Sequence, residues 1–199
     1  MVILVTGGAR SGKSSFAEQY AAHLGSSGIY IATAQALDEE MCVRADRHRE
    51  RRELSGFNWE TIEESYDLCG VLSKKSDQSD QSMQSQQALP VILVDCLTLW
   101  LSNWLLHYEH GDDPEGCVRG EVDRLIAALS AAQCHIILVT NEVGDSVVPE
   151  YPLGRMFRDL AGTMNQRIAS ISQQVFLVTA GIPIELKSKQ FHFTSDRNG

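Results

Sequence analysis

Short apolar runs alternate with longer amphipathic segments along most of this chain. Runs of strand character cover residues 2–5, 29–33, 91–95, 135–140 and 175–181, and residues 57–62 form a further candidate strand. Segments of helical character cover residues 14–24, 38–54, 66–72, 97–106, 115–133 and 153–171. Because strands and helices alternate and the strands are continuously apolar, the pattern predicts an α/β fold, with a mostly parallel sheet and helices on both faces.

The chain is long enough to bury one good core, and its polar segments suggest where that core is interrupted. With 199 residues, of which 43% are hydrophobic, we expect a single domain over residues 1–187. Residues 73–89 are rich in Ser, Gln and Asp, which predicts a flexible insertion within that domain. Residues 188–199 are predicted to form a polar C-terminal tail.

Charge and cysteine content narrow the possible partners and the compartment. The formal net charge of −9 argues against nonspecific binding to nucleic acid or to an anionic membrane. No apolar run approaches the roughly 20 residues that span a bilayer. The five cysteines are odd in number and include no C-x-x-C pair. We therefore expect reduced thiols, a cytoplasmic location and no zinc site.

The strongest motif follows the first strand, where Gly7 to Ser14 spell Gly-x-x-x-x-Gly-Lys-Ser. A strand before it and a helix after it provide the context that a P-loop requires. Gly7 and Gly12 can take backbone angles closed to other residues, so that successive N–H groups point inward at phosphate. We expect Lys13 to neutralise the β- and γ-phosphates and the Ser14 hydroxyl to ligate Mg²⁺. Alone, the motif predicts only that a nucleotide phosphate is bound.

Asp95 is the first candidate to complete that site. Ligands of open α/β sheets bind beyond the carboxyl ends of the strands, where Thr33, Asp95, Asn141 and Glu142 are all expected. Asp95 ends a hydrophobic strand well downstream of the P-loop. In P-loop NTPases, an acidic residue at such a position holds Mg²⁺ directly or through water. The alternative is an aspartate that caps the following helix.

His48 is the second candidate, and the pattern around it supports two interpretations. On a helix, Arg44, His48 and Arg52 share one stripe, because they are spaced four residues apart. A neutral imidazole there is a competent nucleophile toward phosphorus, and the flanking guanidinium groups stabilise phosphate charge. The pattern alone favours the other interpretation, an exposed charged helix face.

The P-loop also leaves the reaction open. The chain has no Asn-Lys-x-Asp motif, which disfavours a Ras-type GTPase. A single-function kinase for a small metabolite remains possible, as does a nucleotide-sensing protein without turnover.

Further motifs accompany the P-loop along the chain. They are Val5 to Ser14, Tyr30 to Gln35, Asp38-x-Glu40-Met41 with Arg44 and His48 behind it, Thr140 to Gly144, Val148 to Glu150, and Phe157 to Gln166. Over residues 2–187 the set resembles the bifunctional adenosylcobinamide kinase and adenosylcobinamide-phosphate guanylyltransferases of cobalamin biosynthesis. Residues 73–87, the tail, and the Asp145-Ser146 pair depart from the family pattern.

The resemblance implies a RecA-like P-loop NTPase fold, a homotrimer and two reactions. The first phosphorylates adenosylcobinamide with ATP or GTP. The second transfers GMP from GTP to that phosphate through a GMP–histidine intermediate, giving adenosylcobinamide-GDP and pyrophosphate.

The family's histidine matches His48. The resemblance therefore favours His48 as the nucleophile over the interpretation of residues 44–52 as an exposed helix face. The implied Mg²⁺ ligands are Ser14 and Asp95. The implied nucleotide contacts are Gly7, Gly8, Ala9, Arg10, Ser11, Gly12, Lys13, Ser14, Thr33, Ala34, Gln35, Arg49, Glu50, Arg51, Arg52, Glu63 and Asp95.

Overall fold

A computed structural model describes residues 1–35, 49–77 and 90–192 of the protein. The strands are β1 (Val2–Thr6), β2 (Ser27–Ala32), β3 (Asn58–Glu63), β4 (Val91–Asp95), β5 (Ile136–Val139), β6 (Gln174–Thr179) and β7 (Ile182–Glu185). The helices are α1 (Lys13–Leu24), α2 (described over residues 49–54), α3 (Leu68–Asp77), α4 (Leu97–Tyr108), α5 (Pro114–Ala131) and α6 (Pro152–Ile171). A short 3₁₀ turn follows at Lys187–Lys189.

All seven strands form one sheet in the order β3-β2-β4-β5-β1-β6-β7. Every neighbouring pair is parallel except β6 and β7, which form an antiparallel hairpin. The parallel part of the sheet confirms the predicted fold class. The β7 edge strand was not predicted. The left-handed backbone of Ala180 and Gly181, at φ of 51° and 79°, reverses the chain between β6 and β7.

Alternate residues of each central strand face opposite layers of helices. Val2 and Leu4 of β1 belong to a core shared with α3, α4, α5 and α6, whereas Ile3 and Val5 pack on the side of α1. Because both faces are covered, the central strands β1, β4 and β5 are apolar at every position but the last residues of β1 and β4. This arrangement confirms the predicted helices on both faces.

Helix α3 runs five residues into the segment that was predicted to be a flexible insertion. Residues 73–77 are helical, Ser76 is buried, and its hydroxyl donates to the carbonyl oxygen of Leu72. Lys75 of this turn pairs with Glu60 of β3 at 2.8 Å. The serine-rich composition was misleading here, because Ser76 satisfies its own polar group within the helix. Residues 78–89 of the predicted insertion lie outside the described residues.

The first residues of the predicted polar tail form a defined turn. Residues 187–189 form the 3₁₀ turn, and the Glu185 carboxylate accepts hydrogen bonds from the backbone N–H groups of Val175, Lys187 and Ser188. These bonds lower the pKa of Glu185 below its usual value. Residues 193–199 of the predicted tail, and residues 38–48 of the long charged helix, lie outside the described residues.

Candidate active site

The loop between β1 and α1 has the backbone shape of a phosphate cradle, and its two motif glycines are needed for that shape. A Cβ atom on Gly7 would lie 2.4 Å from the carbonyl oxygen of Val178, a contact that no side chain tolerates. Gly12 is left-handed at φ 94° and forms the N-cap of α1, with the Cα of Gly181 only 3.2 Å from where its Cβ would stand. The loop is therefore pressed against the β6–β7 turn.

Two neighbouring loops hold the cradle by main-chain hydrogen bonds. The N–H of Gly181 donates to the carbonyl oxygen of Ser11 at 2.8 Å, and the N–H of Glu142 donates to that of Gly7 at 3.2 Å. These bonds engage carbonyl groups of the loop. The backbone N–H groups at the N-terminus of α1 therefore remain able to donate hydrogen bonds to a bound anion.

Lys13 and Ser14 begin α1 directly behind this cradle. Lys13 is 8% exposed, and its Nζ donates to the carbonyl oxygen of Gly8 at 3.0 Å, across the mouth of the loop. Ser14 is partly exposed at the first turn of α1. A cation held over a ring of amide donors is suited to bind phosphate groups. Gly8, Ala9 and Arg10 are exposed at the rim.

Asp95 lies at the carboxyl end of β4, two strands away from β1 in the sheet. Its backbone pairs with Val139, which in turn pairs with Val5, so the sheet separates the Asp95 and Val5 backbones by about 10 Å. The Tyr30 hydroxyl donates to Asp95 Oδ2 at 3.1 Å. Burial, together with the Asp95 carboxylate, raises the pKa of Tyr30 well above its usual value, so the hydroxyl stays a donor.

Thr33 has a structural role in addition to any contact with a ligand. Its buried hydroxyl donates to the carbonyl oxygen of Cys96 at 2.7 Å and accepts from the Cys96 N–H at 2.9 Å. Asn103 of α4 donates to the Thr33 carbonyl oxygen at 2.9 Å. The Thr33 side chain therefore fixes the ends of β2 and β4 to each other, and the partly exposed Ala34 and Gln35 continue from that point.

The described part of α2 contacts α1 immediately after the P-loop. Arg51 forms a bidentate ion pair with Glu18, at 2.7 and 3.0 Å, and donates to Ser15 Oγ at 2.6 Å. Arg49 pairs with Glu63, the last residue of β3, at 3.0 Å. These contacts place Arg49, Arg51 and Glu63 along one edge, from the first turn of α1 across α2 to the end of β3. Glu50 is exposed on the same helix.

Arg52 is the buried member of the run that follows His48. It is 4% exposed, and its guanidinium carbon lies 3.6 Å from the centre of the Tyr30 ring. Its Nε and Nη1 atoms have no hydrogen-bond partner among the residues that the structure describes. The stack on Tyr30 holds α2 against the sheet by a cation–π contact.

A cavity of about 440 Å³ opens beside α2, but it does not coincide with the phosphate cradle. Arg49, Arg52 and Glu53 line one side of it, and Phe57, Asn58, Trp59 and Thr61 line the other. Phe57 precedes β3, and Asn58 and Trp59 begin it, so this side of the cavity lies toward the amino end of the strand, whereas the P-loop follows the carboxyl end of β1. His48, and Arg44 on its stripe, lie outside the described residues.

A buried polar network behind the cradle includes residues that sequence reasoning did not single out. Asn165 of α6 accepts from the Thr140 hydroxyl at 2.8 Å and donates to the carbonyl oxygen of Asn141 at 3.2 Å. Asn141 donates from its side chain to the Thr98 hydroxyl at 2.7 Å. The network fixes the end of β5 next to the P-loop. A signal was present in the sequence, since polar Asn165 interrupts the apolar stripe of a strongly amphipathic helix.

Comparison with known proteins gives consistent matches over nearly the whole chain. The family model described as cobinamide kinase / cobinamide phosphate guanyltransferase matches residues 3–186. The bifunctional adenosylcobalamin biosynthesis protein CobU of Escherichia coli is 39% identical over 197 residues, which cover 94% of this chain and 100% of that protein. CobP of Pseudomonas aeruginosa, described in the same words, is 42% identical over 186 residues, with 94% and 97% covered. These matches confirm the resemblance that the motifs predicted.

Two further comparisons complete these findings. CobU of Salmonella typhimurium is 38% identical over 197 residues, covering 94% of this chain and all of that protein. Among solved structures, an ATPase domain superposes with a TM-score of 0.49 at 12% identity, covering 88% of this chain and 68% of the other. Within the described ranges, none of the helices is long and apolar enough to cross a membrane.

Proposed function

The chain belongs to the cobinamide kinase / cobinamide phosphate guanyltransferase family, and we propose how its residues divide the two reactions. It is a bifunctional adenosylcobinamide kinase and adenosylcobinamide-phosphate guanylyltransferase of cobalamin biosynthesis. The kinase step uses the P-loop, and the guanylyltransferase step adds His48, which directly precedes the described part of α2 in the sequence. The observation that carries this division is the contact of Arg51 in α2 with Ser15 and Glu18 in α1.

In the first step, the P-loop amides and Lys13 hold the phosphates of ATP or GTP. The hydroxyl of the aminopropanol arm attacks the γ-phosphorus, the bond from that phosphorus to the β,γ-bridging oxygen breaks, and the nucleoside diphosphate leaves. The hydroxyl proton leaves with solvent. Lys13 stabilises the charge that develops on the transferred group, a contribution that fixed donors in a water-poor site make large.

Ser14 and Asp95 fit a Mg²⁺ that accompanies the nucleotide. A hydroxyl at the start of α1 and a carboxylate at a strand end are hard oxygen ligands, and Mg²⁺ usually keeps several waters besides one or two such ligands. Asp95 has an oxygen available, because Tyr30 is the only hydrogen-bond donor to its side chain in the part of the chain that the structure describes. When bound, the ion would neutralise charge on the phosphate oxygens.

In the second step, His48 acts as the nucleophile. A ring nitrogen attacks the α-phosphorus of GTP, a P–N bond forms, and pyrophosphate leaves with the bridging oxygen. A phosphate oxygen of adenosylcobinamide phosphate then attacks the same phosphorus, which breaks the P–N bond and frees the histidine. His48 directly precedes Arg49, whose pairing with Glu63 at the carboxyl end of β3 supports a histidine near that edge.

The test is labelling with GTP that carries the label on its α-phosphate. The wild-type protein should form an acid-labile labelled adduct, and His48→Ala should form none while retaining phosphoryl transfer to adenosylcobinamide. His110→Ala is the matched control, because His110 is a highly exposed histidine that pairs only with its neighbour Glu109 in the described structure. Labelling of His48→Ala equal to that of the wild type would exclude His48 as the nucleophile.

The oligomeric state and location are finer predictions that follow from the family resemblance. We infer a homotrimer, in which a neighbouring copy can contribute to the site, and a cytoplasmic location. Sedimentation at micromolar concentration tests the first, since a monomer of 22.0 kDa and a trimer separate widely. Fractionation of producing cells tests the second.

A further inference from the structure

The loop between β5 and α6 exposes large apolar side chains beside the phosphate cradle. Val147 is 90% exposed, Val148 56% and Tyr151 64%, all within five residues of one another. We refer to residues 142–151 as the rim loop. A cluster of exposed apolar side chains on an otherwise charged surface marks a binding surface more often than chance exposure. Neither the P-loop chemistry nor the proposed role of His48 uses these residues.

The rim loop is held in place by hydrogen bonds within itself and to its neighbours. Arg155, in the first turn of α6, donates from Nη1 to the carbonyl oxygens of Pro149 and Glu150, at 3.1 and 2.6 Å. Ser146 donates to the Val143 carbonyl oxygen through both its N–H and its hydroxyl. The apolar side chains are thus presented by an ordered backbone, which lowers the entropy cost of binding a ligand on them.

The position of the rim loop relates it to the kinase acceptor. Its first residue, Glu142, donates its N–H to the carbonyl oxygen of Gly7 at 3.2 Å, so the loop begins against the P-loop itself. The acceptor must approach a γ-phosphate that Lys13 holds at the same loop. A corrin macrocycle is much larger than a nucleotide phosphate cradle. The bulk of the acceptor must therefore rest on surface next to the cradle.

The charge of the rim loop complements a corrinoid. Asp145 and Glu150 are exposed, and neither forms an ion pair with any residue in the described ranges. Arg155, the nearby cation, directs its guanidinium at main-chain oxygens instead of these carboxylates. Adenosylcobinamide carries a net positive charge on its cobalt(III) corrin before phosphorylation, and its side arms end in amide N–H donors. Acidic side chains around an apolar patch match both features.

We propose that the rim loop binds the corrin ring of adenosylcobinamide, with Val147, Val148 and Tyr151 against its hydrocarbon face. Asp145 and Glu150 lie toward its cationic centre and amide arms. The inference rests on the proposed function, since it names where the acceptor of that same kinase step is held. Charge favours this cationic occupant over the same surface of a second copy, which would bring Asp145 and Glu150 against their own like charges.

Two double variants test the proposal in the phosphoryl-transfer reaction. Val147→Ser with Val148→Ser should raise KM for adenosylcobinamide about tenfold, which corresponds to about 1.4 kcal/mol, because two apolar contacts are lost. Asp145→Asn with Glu150→Gln should raise it a few fold, and more at low than at high salt. Neither pair should change KM for ATP or the labelling of the protein by GTP without corrinoid. Ile184→Ser is the control, an apolar exposed residue on the β7 edge.

The possible outcomes distinguish a failure of corrin binding by the rim loop from a failure of the proposed reactions. An unchanged KM for adenosylcobinamide in both double variants overturns the role of the rim loop while leaving the two reactions intact. A change of oligomeric state with an unchanged KM also overturns it and assigns the patch to a second copy. A wild-type protein that makes no cobinamide phosphate contradicts the proposed function and, with it, this inference. Thermal unfolding confirms that each variant is folded.

Discussion

The P-loop and helix α2 lie side by side, but they are held in place by different forces. The P-loop is fixed by main-chain hydrogen bonds from Gly181 and Glu142 and by contacts too close for any side chain at Gly7. Helix α2 is attached through side chains, by the ion pairs of Arg49 and Arg51 and by the stack of Arg52 on Tyr30. The Arg49–Glu63 pair is largely exposed to solvent, where such pairs contribute little, whereas the Glu18 side chain under Arg51 is only 10% exposed.

The P-loop is therefore part of the fold itself, whereas α2 is attached to the fold through its side chains. Main-chain contacts in the P-loop can be lost only by unfolding the edge of the sheet. The contacts of α2 are made by individual side chains, and of these the Arg52 stack reaches the core at Tyr30 while the ion pairs of Arg49 and Arg51 lie outside it. We therefore expect substitutions at the tightly packed P-loop position Gly7 to affect stability and both reactions, and substitutions in α2 to affect mainly the guanylyltransferase step.

The largest effect is expected from Gly7→Ala. The added methyl group meets the Val178 carbonyl oxygen at 2.4 Å, so backbone must move. We expect a loss of about 3 kcal/mol in unfolding free energy and of both activities. Gly8→Ala is the matched control for stability, because nothing lies within 4 Å of its added Cβ. Denaturant unfolding measures both. Equal unfolding midpoints would contradict the packing argument.

Lys13→Ala should leave the fold intact and abolish phosphoryl transfer. The lysine is nearly buried over the cradle, and its Nζ donates to the Gly8 carbonyl oxygen, which water can satisfy after truncation, so stability should change little. Losing one fixed charge at the transferring phosphate typically lowers kcat by about 10²–10³. Steady-state assays with ATP and adenosylcobinamide measure the effect. Retention of full kcat would remove the P-loop lysine from the kinase step.

Arg51→Gln tests the side-chain attachment of α2. It breaks the bidentate pair with Glu18 and should cost no more than about 1 kcal/mol of stability. We expect GMP labelling of the protein to slow several fold while the kinase rate is unchanged. Arg119→Gln, which breaks a more exposed pair with Glu115 on α5, should leave both rates unaltered. If the kinase and labelling rates of Arg51→Gln fell together, the two regions would not be separable.

Tyr30→Phe is expected to give the smallest change in stability. Tyr30 contacts both Arg52 of α2 and Asp95 at the end of β4. The variant keeps the ring under Arg52 but removes the donor to Asp95, which should cost about 1 kcal/mol at neutral pH. Burial raises the pKa of Tyr30 in the folded state, so its contribution is complete below pH ~10 and is lost as the pH rises further. The stability difference between wild type and variant should therefore shrink in alkaline solution. Urea unfolding between pH ~8 and pH ~11 measures it, and a constant difference would contradict the assignment.

The comparison also explains which features could be predicted from sequence. The P-loop, the buried strands and the acid at the end of β4 are local patterns, and the structure contains each of them where the pattern predicted. The pairing of Arg51 with Glu18, and the stack of Arg52 on Tyr30, join residues more than twenty positions apart with no periodic signal. Such contacts depend on how α2 packs, which side-chain composition does not specify.

Local hydrogen bonds explain two departures from the sequence pattern. Residues 73–77 look polar but continue α3, where the Ser76 hydroxyl donates to the Leu72 carbonyl oxygen, and at the end of the unpredicted strand β7 the Glu185 carboxylate accepts from the Val175 N–H. Thr33 is a related case, because its buried hydroxyl holds two strand ends together, a role that the motif did not indicate. The identities of these residues were informative, but most of their partners could not be read from the sequence.

The place of β1 in the sheet has a consequence for how the protein is made. β1 is one of the central strands, and it is synthesised before both of its partners, β5 and β6, with which it pairs at register Val2 to Ile136 and Ile3 to Gln174. At about 5–20 residues per second, translation leaves this apolar segment without its second neighbour for on the order of ten seconds. The turn that braces the P-loop, at Gly181, is made later still. The P-loop is therefore synthesised before the segments that hold it in place, and a nascent chain should gain nucleotide affinity only after β6 and its turn have emerged.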